Sequence, residues 1–194
     1  MRINTRIRQI LFKVVYYGPA EAGKTTNLQQ IFRQVPSSQR SDMTVLDTDG
    51  DRTLFFDYFQ MKLGRIGGFD PHINLYTVPG QSVYATTRRV VLRGADAVVF
   101  VADSAPERLQ ANIQMWHQLK AHLQSLRLTN VPIVVQWNKR DLPDAVPTKA
   151  LAEALLLNVG FPTYEAVASR NQGVRQTLEY TIRRIFQQHM AKSH

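Results

Sequence analysis

Short apolar runs alternate with amphipathic stretches from one end of the chain to the other. Three runs are rich in β-branched and aromatic residues, as buried strands of a parallel sheet are, and they cover residues 12–17, 97–102 and 133–137. Apolar residues recur at helical spacing in three further stretches, 26–35, 109–126 and 174–185. This alternation predicts an α/β fold in three layers, with helices on both sides of a doubly wound, mostly parallel sheet.

One part of the pattern predicts an antiparallel strand. Residues 53–63 and 73–78 have the composition of strands, and Gly67 and Gly68 lie between them. Paired glycines between two strands are typical of a hairpin turn. We therefore expect one antiparallel strand in this part of the sheet.

The remaining stretches give no sign of a second domain. Residues 164–168 are a last predicted strand, and residues 36–50 are polar and rich in turn formers, which predicts a loop. No repeat, low-complexity tract or linker divides the chain. We expect a single domain over 1–194 with a short basic N-terminal extension, residues 1–11.

Composition narrows the class of protein. With 194 residues, of which 44% are hydrophobic, the chain is long enough to bury a core without disulfide bonds. It contains no cysteine, which excludes thiolate metal sites and palmitoyl or prenyl anchors, and Arg2 in place of glycine excludes N-myristoylation. No apolar run approaches the ~20 residues of a membrane helix, and the chain opens with no signal-peptide pattern. We expect a soluble, cytoplasmic protein.

The net charge of +9 is the unusual feature of the composition. Basic residues cluster at two places along the chain, at Arg2, Arg6, Arg8 and Lys13 and again at Arg88, Arg89 and Arg93. Such a surface attracts nucleic acid, anionic lipid or an acidic partner. No run of five like charges occurs, so general solubility is the alternative explanation.

Histidine and tryptophan carry no signal of a metal or cofactor site. His117 and His122 are five residues apart, outside the i,i+4 register of a helical metal pair. We interpret the five histidines as structural or solvent-facing. We expect Trp116 and Trp137 to pack in the core.

The strongest motif is a glycine-framed turn with the spacing G-x-x-x-x-G-K-[ST]. It follows a predicted strand and opens a predicted helix, which is the context that a phosphate-binding loop requires. Its backbone amides and the helix N-terminus would surround a phosphate, and we expect the two glycines to let phosphate oxygens approach the backbone. Lys24 would place a cation on the β- and γ-phosphates, and Thr25 would offer its hydroxyl to Mg²⁺. The candidate nucleotide-binding residues of this loop are Gly18, Pro19, Ala20, Glu21, Ala22, Gly23, Lys24, Thr25 and Thr26.

A second motif, N-K-x-D, follows the predicted strand 133–137 at the carboxyl edge of the sheet, where α/β folds bind ligands. The carboxylate of Asp141 can accept hydrogen bonds from both N1–H and the exocyclic amine of guanine, a donor pair that adenine lacks. Asn138 would brace the loop and contact the base edge, and the stem of Lys139 would pack on the base. The motif therefore predicts selection of guanine.

A third segment, EAVA at residues 165–168, supports this interpretation more weakly. A backbone amide there could reach the guanine oxygen, and the candidates are Val167 and Ala168.

Two segments between these motifs are placed to sense the γ-phosphate. Gly80, in the string TVPGQ, could turn its amide toward the terminal phosphate, and Gln81 could hold the attacking water. Upstream, Thr53 is a candidate second hydroxyl on Mg²⁺. Arg52 could stabilise charge in cis, or it is a solvated loop arginine. The candidate catalytic residues are Gln81, Arg52 and Lys24, and the candidate metal ligands are Thr25 and Thr53.

Six strings together resemble the bacterial Ras-like small GTPases of the MglA type, which govern gliding motility and cell polarity: GPAEAGKTTN, DRTLFFDYF, LYTVPGQ, VFVADSAPER, NKRDLP and EAVA. The resemblance extends from about residue 12 to the final predicted helix. It implies a Ras-like G domain that binds GTP or GDP with Mg²⁺, hydrolyses GTP slowly, and is recruited to the cell pole.

The resemblance also implies how such a switch is controlled. The implied partner is a homodimeric roadblock-type GTPase-activating protein of the MglB kind, acting with an intrinsic arginine, here Arg52. The hairpin strand near residues 53–63 is implied to shift register when GTP binds. By itself we expect the chain to be a monomer, with an effector that the sequence does not identify.

Two positions depart from the usual patterns. Most Ras-like proteins have an Asp where Thr77 stands; Thr fits the MglA pattern and predicts that Mg²⁺ is held less tightly. Ala20 occupies a loop position where the family normally has glycine, which predicts impaired hydrolysis. Two alternatives stay open beside the hydrolysing switch: a GTP-binding scaffold with negligible turnover, and a basic domain that binds anionic membrane or nucleic acid.

Overall fold

The computed structural model describes residues 1–46 and 56–190, and within these ranges the chain forms eight strands and five α-helices. The strands are β1 (Arg2–Asn4), β2 (Gln9–Tyr17), β3 (Thr44–Leu46), β4 (Phe56–Lys62), β5 (Asp70–Thr77), β6 (Ala97–Asp103), β7 (Ile133–Asn138) and β8 (Thr163–Glu165). The helices are α1 (Lys24–Gln34), α2 (Ala85–Leu92), α3 (Leu109–Ser125), α4 (Thr148–Ala154) and α5 (Val174–Met190).

The strands form one sheet in the order β3-β4-β5-β2-β6-β7-β8, with β1 paired to β2 outside this series. The pairs from β5 through β2, β6 and β7 to β8 are parallel, whereas β4 is antiparallel to both of its neighbours. The predicted α/β fold with a mostly parallel sheet is confirmed. The antiparallel strand predicted from the two glycines is β4, whose hairpin with β5 contains them. A second strand, β1, is also antiparallel to its neighbour β2, so the expectation of one antiparallel strand is wrong in number.

Both faces of the sheet are buried, and the alternation along β2 shows how. Val14 and Tyr16 belong to an apolar cluster that includes residues of α1 and α5. Val15 and Tyr17 point the other way, into a cluster with residues of α2, α3 and α4. Strands buried on two faces need apolar residues at nearly every position, which is the pattern seen in the sequence. The predicted core tryptophans, Trp116 and Trp137, lie in the second cluster.

The N-terminal residues are part of the sheet rather than an extension. β1 pairs with the first residues of β2, from Arg2 opposite Leu11 to Asn4 opposite Gln9. The start of β2 was missed because residues 9–11 are only half-buried and mixed in polarity. The turn between the strands uses Arg8 in the left-handed region, at φ 50°.

Three further elements differ from the sequence expectation. Residues 36–50, predicted as a loop, contain a 3-10 turn at Ser37–Gln39 and the short strand β3, and residues 47–50 lie outside the described part. The last strand ends at Glu165, because the chain then turns so that the N–H of Val167 donates to the carbonyl of Gln172. Helices α2 and α4 are eight and seven residues long, too short to show a helical period in the sequence.

In the described ranges no helix is long and apolar enough to cross a membrane, and no group of three potential metal-binding side chains occurs among His, Cys, Asp and Glu. His72 is buried with its ring nitrogens 3.1 Å from Nε2 of Gln9 and 2.9 Å from Oε1 of Gln60. These contacts fit the structural role expected of it.

Candidate nucleotide-binding site

The phosphate-type loop connects β2 to α1 at the carboxyl edge of the sheet. Lys24 begins α1 and is buried, and its Nζ donates to the carbonyl oxygens of Gly18 at 3.0 Å and Pro19 at 2.6 Å. Burial, assisted by the nearby charge of Arg88, lowers the pKa of Lys24 to about 8. The loop therefore holds a cation over its own carbonyls, in a place where an anion would relieve the cost of burying it.

The loop has the donors that an anion requires. In the part of the chain that the structure describes, the backbone N–H groups of Gly23, Lys24 and Thr25 donate to no carbonyl, and the first to close a helical bond is that of Asn27, to Gly23. Free N–H groups at a helix N-terminus, next to a lysine, suit a phosphate group. The residues present thus fit the nucleotide that the motif predicts.

The two glycines of the motif are required by packing inside the protein. A Cβ at Gly18, whose φ is 152°, would lie 2.1 Å from the carbonyl oxygen of Val101 on β6. A Cβ at Gly23, at φ 96°, would lie 2.2 Å from Nδ2 of Asn138. We expected these positions to leave room for phosphate oxygens; in the structure the space is filled by a neighbouring strand and by the side chain of the second motif.

A carboxylate that we did not predict lies at the metal side of the loop. The hydroxyl of Thr25 donates to Oδ2 of Asp57 at 2.5 Å, and the hydroxyl of Thr77 donates to the same oxygen at 3.0 Å. The backbone N–H of Asp57 donates in turn to the Thr77 hydroxyl at 2.8 Å. Asp57 lies on β4 beside the end of β5, so it brings a negative charge to the position where Thr77 replaces the usual Asp.

These oxygen atoms are of the type that Mg²⁺ prefers. Thr25 and Asp57 are the described residues that fit a magnesium site. The other predicted ligand, Thr53, and the predicted catalytic arginine, Arg52, lie outside the described residues.

Asn138 joins the phosphate-type loop to the loop after β8. Its Nδ2 donates to the carbonyl of Ala22 at 2.8 Å, and its Oδ1 accepts from the N–H of Ala168 at 2.9 Å. Asn138 is 3% exposed, so breaking either bond leaves a buried polar group without its partner. The side chain thereby sets the distance between the two loops.

Next to Asn138 is a cavity of about 250 Å³, whose lining includes Glu21, Gly23, Thr26, Asn138, Lys139, Asp141 and Ala168. It brings together residues of the phosphate-type loop and of both predicted base-side segments. Val167 is not part of this lining. Its side chain is buried, and its N–H donates to the carbonyl of Gln172. Asp141 is partly exposed, and one of its oxygens is 3.6 Å from the guanidinium of Arg170.

Lys139 is held by a buried carboxylate that lies outside the predicted motifs. Its Nζ is 2.6 Å from Oδ2 of Asp103, which is fully buried at the end of β6. Nε of Arg108 is 3.8 Å from the same oxygen, and Nη2 of Arg108 donates to the carbonyl of Ala20. Asp103 thus connects the base-side lysine to the phosphate-type loop.

Ala20 lies directly against the segment predicted to sense the γ-phosphate. A Cβ on Gly80 would lie 2.2 Å from the backbone nitrogen of Ala20, so only glycine permits this approach. Ala20, Gly80 and Gln81 line one cavity of about 390 Å³ between the loop, α2 and α3. Ala20 and Gln81 are therefore neighbours in the structure.

The segment 79–81 is positioned by an arginine from α2. Arg88 is 0% exposed; it donates to the carbonyl of Pro79 at 2.9 Å, to the carbonyl of Gln81, and to Oε1 of Gln118 at 2.7 Å. By its place in the sequence, Arg88 groups with Arg89 and Arg93 as surface charge. That grouping is wrong for Arg88, which is buried and donates hydrogen bonds to carbonyl groups inside the protein.

A phosphate-type loop between β2 and α1, with an N-K-x-D loop after β7, is the arrangement of a Ras-like G domain. The family model of the ADP-ribosylation factor family matches residues 3–188. The mutual gliding-motility protein MglA of Myxococcus xanthus (strain DK1622) is 45% identical over 179 residues, which is 91% of this chain and 91% of that protein. The Ras-related protein SEC4 of Saccharomyces cerevisiae is 26% identical over 131 residues, 67% of this chain and 59% of that protein.

The chain therefore belongs to the ADP-ribosylation factor family of Ras-like small GTPases, on its MglA-like branch. This confirms the resemblance to MglA-type GTPases that the sequence strings indicated. Membership implies guanine-nucleotide binding and GTPase activity.

Proposed function

We propose that this chain is a molecular switch that binds GTP and GDP with Mg²⁺, hydrolyses GTP slowly, and regulates gliding motility and cell polarity through partner proteins. The observation that carries the proposal is the bridge made by Asn138 between Ala22 and Ala168, because it couples the loop that fits phosphate to the loop that fits a base. A ligand with both parts would satisfy both loops at once.

On the phosphate side, the free amides of residues 23–25 and the cation of Lys24 would bind the phosphate oxygens. On the base side, Asp141 would accept from guanine and Lys139 would lie on the base plane, held by Asp103. The ion pair of Asp141 with Arg170 is a solvent-accessible one and exchanges readily for a base.

For the metal, Thr25 and Asp57 are the described residues that would hold Mg²⁺, with Thr53 as a further ligand. Bound Mg²⁺ would neutralise charge on the β- and γ-phosphates. The hydroxyl of Thr77 donates to the Asp57 carboxylate and keeps it oriented toward Thr25 without help from a metal.

For hydrolysis, we propose that Gln81 orients the attacking water and that Arg52 stabilises the charge that develops. The methyl of Ala20 enters the same space as Gln81, and a misplacement of about 1 Å can cost roughly a hundredfold in rate. We therefore propose slow turnover. If the effect of Ala20 is large enough, turnover becomes negligible, and the protein is then the GTP-binding scaffold of the alternative interpretation.

The proposals on partners rest on the 45% identity to MglA. We propose a homodimeric roadblock-type activating protein of the MglB kind, which would raise the slow intrinsic rate, and a separate effector for the GTP state. The chain would act in the cytoplasm as a monomer and be recruited to the cell pole by these partners.

The test is nucleotide selectivity, measured by displacement of a fluorescent GDP analogue. The chain should bind GDP and GTP far more tightly than ADP and ATP. The Asp141→Asn variant should bind xanthosine diphosphate better than GDP, because the amide reverses one hydrogen bond of the pair. Equal affinity of the unmodified chain for GDP and ADP would contradict the proposal.

A further inference from the structure

Two hairpin turns lie side by side at the edge of the sheet opposite the nucleotide site. The first turn, residues 5–8, joins β1 to β2, and the second, residues 63–69, joins β4 to β5. The N–H of Asp70 donates to the carbonyl of Arg8 at 2.8 Å, and Nη1 of Arg8 would lie 4.0 Å from a Cβ at Gly68. The turns therefore form one continuous surface, which we name the twin-turn surface.

The twin-turn surface exposes aliphatic side chains. Ile7 in the first turn is 57% exposed, Ile66 in the second is 51% exposed, and Ile3 on β1 is 52% exposed. Ile66 is held in place by a tight turn, in which Ile66 and Phe69 exchange two backbone hydrogen bonds across Gly67 and Gly68, both at positive φ. These isoleucines are presented to solvent on an ordered backbone, which favours a contact that buries them.

The same surface is strongly basic. Its exposed cations are Arg6, Arg8 and Arg65, and the exposed cations Arg2 and Lys62 lie on the strands that lead into the two turns. Asp70 lies beside them, 3.5 Å from Nε of Arg65. Positive charge is thus concentrated around the isoleucines.

We propose that the twin-turn surface docks on the anionic surface of a lipid bilayer, with Ile7 and Ile66 entering the headgroup region and the arginines contacting lipid phosphates. Aliphatic tips flanked by guanidinium groups suit this interface, where apolar burial and attraction to anionic lipid add together. Nucleic acid would use the cations but give the exposed isoleucines nothing to bury against.

Docking in this way leaves the switch accessible. β2 starts beside the first turn at Gln9 and ends at Tyr17, directly before the phosphate-type loop. A strand of this length spans about 30 Å. The nucleotide site would therefore face away from the bilayer, toward partners in solution, so docking is compatible with the proposed switch and independent of its nucleotide chemistry.

The test uses the GDP-loaded full chain and sedimentation with vesicles of phosphatidylcholine, alone or with about one third phosphatidylglycerol. We expect binding to the anionic vesicles only, weakened as salt rises. Ile7→Asp and Ile66→Asp should each weaken binding about tenfold, and Arg6→Glu about fivefold or more. The controls are Val159→Asp, at an aliphatic residue elsewhere that is even more exposed than the isoleucines, and Arg183→Glu on α5. Both should bind like the unmodified chain. Unchanged GDP affinity in every variant shows that each one is folded.

Because the chain has no cysteine, insertion can be measured at a single site. An environment-sensitive dye on Ile66→Cys should shift to the blue with anionic vesicles, whereas the same dye on Val159→Cys should not. The proposal is overturned if the isoleucine variants bind vesicles as well as the unmodified chain does, or if the dye at residue 66 does not respond. It is also overturned if duplex nucleic acid binds more tightly than the vesicles and the isoleucine variants keep that binding.

Discussion

The buried lysine of the phosphate-type loop is expected to destabilise the nucleotide-free protein at neutral pH. The substitution that reveals this is Lys24→Met, which keeps the apolar stem and removes the charge. Lys24 is 7% exposed and contacts the carbonyls of Gly18 and Pro19, with no carboxylate within ion-pairing distance among the described residues.

The magnitude follows from the pKa of Lys24, which burial lowers from 10.5 to about 8. A shift of this size corresponds to about 3 kcal/mol against the charged folded form. The two hydrogen bonds lost in the variant offset about 1 kcal/mol each. We therefore expect Lys24→Met to raise the free energy of unfolding at pH 7 by about 1–2 kcal/mol while abolishing GDP binding.

The pH dependence has a definite sign. Between pH 8 and 10.5 the unfolded chain holds the Lys24 proton more firmly than the folded protein does, so the stability of the unmodified protein rises with pH in this window. By pH 9.5 the advantage of the variant should have fallen by about 2 kcal/mol. The assay is urea unfolding of both nucleotide-free proteins at several pH values, with Lys149→Met, at an exposed lysine on α4, as the control. A difference that stays constant from pH 7 to about 9.5 would refute the reasoning.

Three further substitutions test other parts of the site. Ala20→Gly should speed single-turnover GTP hydrolysis by about tenfold to a hundredfold, and by more with a roadblock-type partner, whereas adding Gln81→Leu should abolish the gain. An unchanged rate with and without the partner would make Ala20 a neutral position. Asp57→Asn should raise the Mg²⁺ concentration needed to retain GDP by about tenfold, measured by release of a fluorescent analogue, and no change would exclude Asp57 from the metal site. Gly18→Ala should lower the free energy of unfolding by about 2–4 kcal/mol in urea, since its Cβ would lie 2.1 Å from the Val101 carbonyl, and an unshifted midpoint would contradict that packing.

Local sequence patterns were sufficient to predict those elements whose structure depends on residues close together in the chain. The apolar run 97–102 and the helical spacing of 109–126 correspond to β6 and α3 nearly residue for residue. A strand buried on both faces gives a continuous apolar run, and a helix buried along one stripe gives apolar residues at helical spacing, so both are visible in the sequence. The glycine-framed loop was recognised for the same reason. Its spacing places a turn, a helix N-terminus and a lysine together without help from distant residues.

The parts of the site that depend on distant residues were missed. Asp57 is one carboxylate in an aromatic run, and only the antiparallel pairing of β4 with β5 brings it to Thr77 and Thr25. Asp103 meets Lys139 because β6 and β7 are neighbours in the sheet. The burial of Arg88 is not predictable in this way, because nothing in the sequence of a short helix shows which side faces the core. For Asp57 and Asp103 the missing information was the order and direction of the strands in the sheet.

The central claim is that the γ-phosphate changes the conformation of particular segments while the rest of the sheet stays unchanged. Hydrogen exchange of the chain loaded with GDP and with a non-hydrolysable GTP analogue tests this most directly. We predict different protection in residues 36–63 and 80–93, which contain Asp57, Gly80 and Gln81, and identical protection in residues 12–17 and 133–137, because order–disorder changes of such loops are how GTPases switch. Identical protection of 36–63 and 80–93 in the two states would contradict the claim that this protein is a switch.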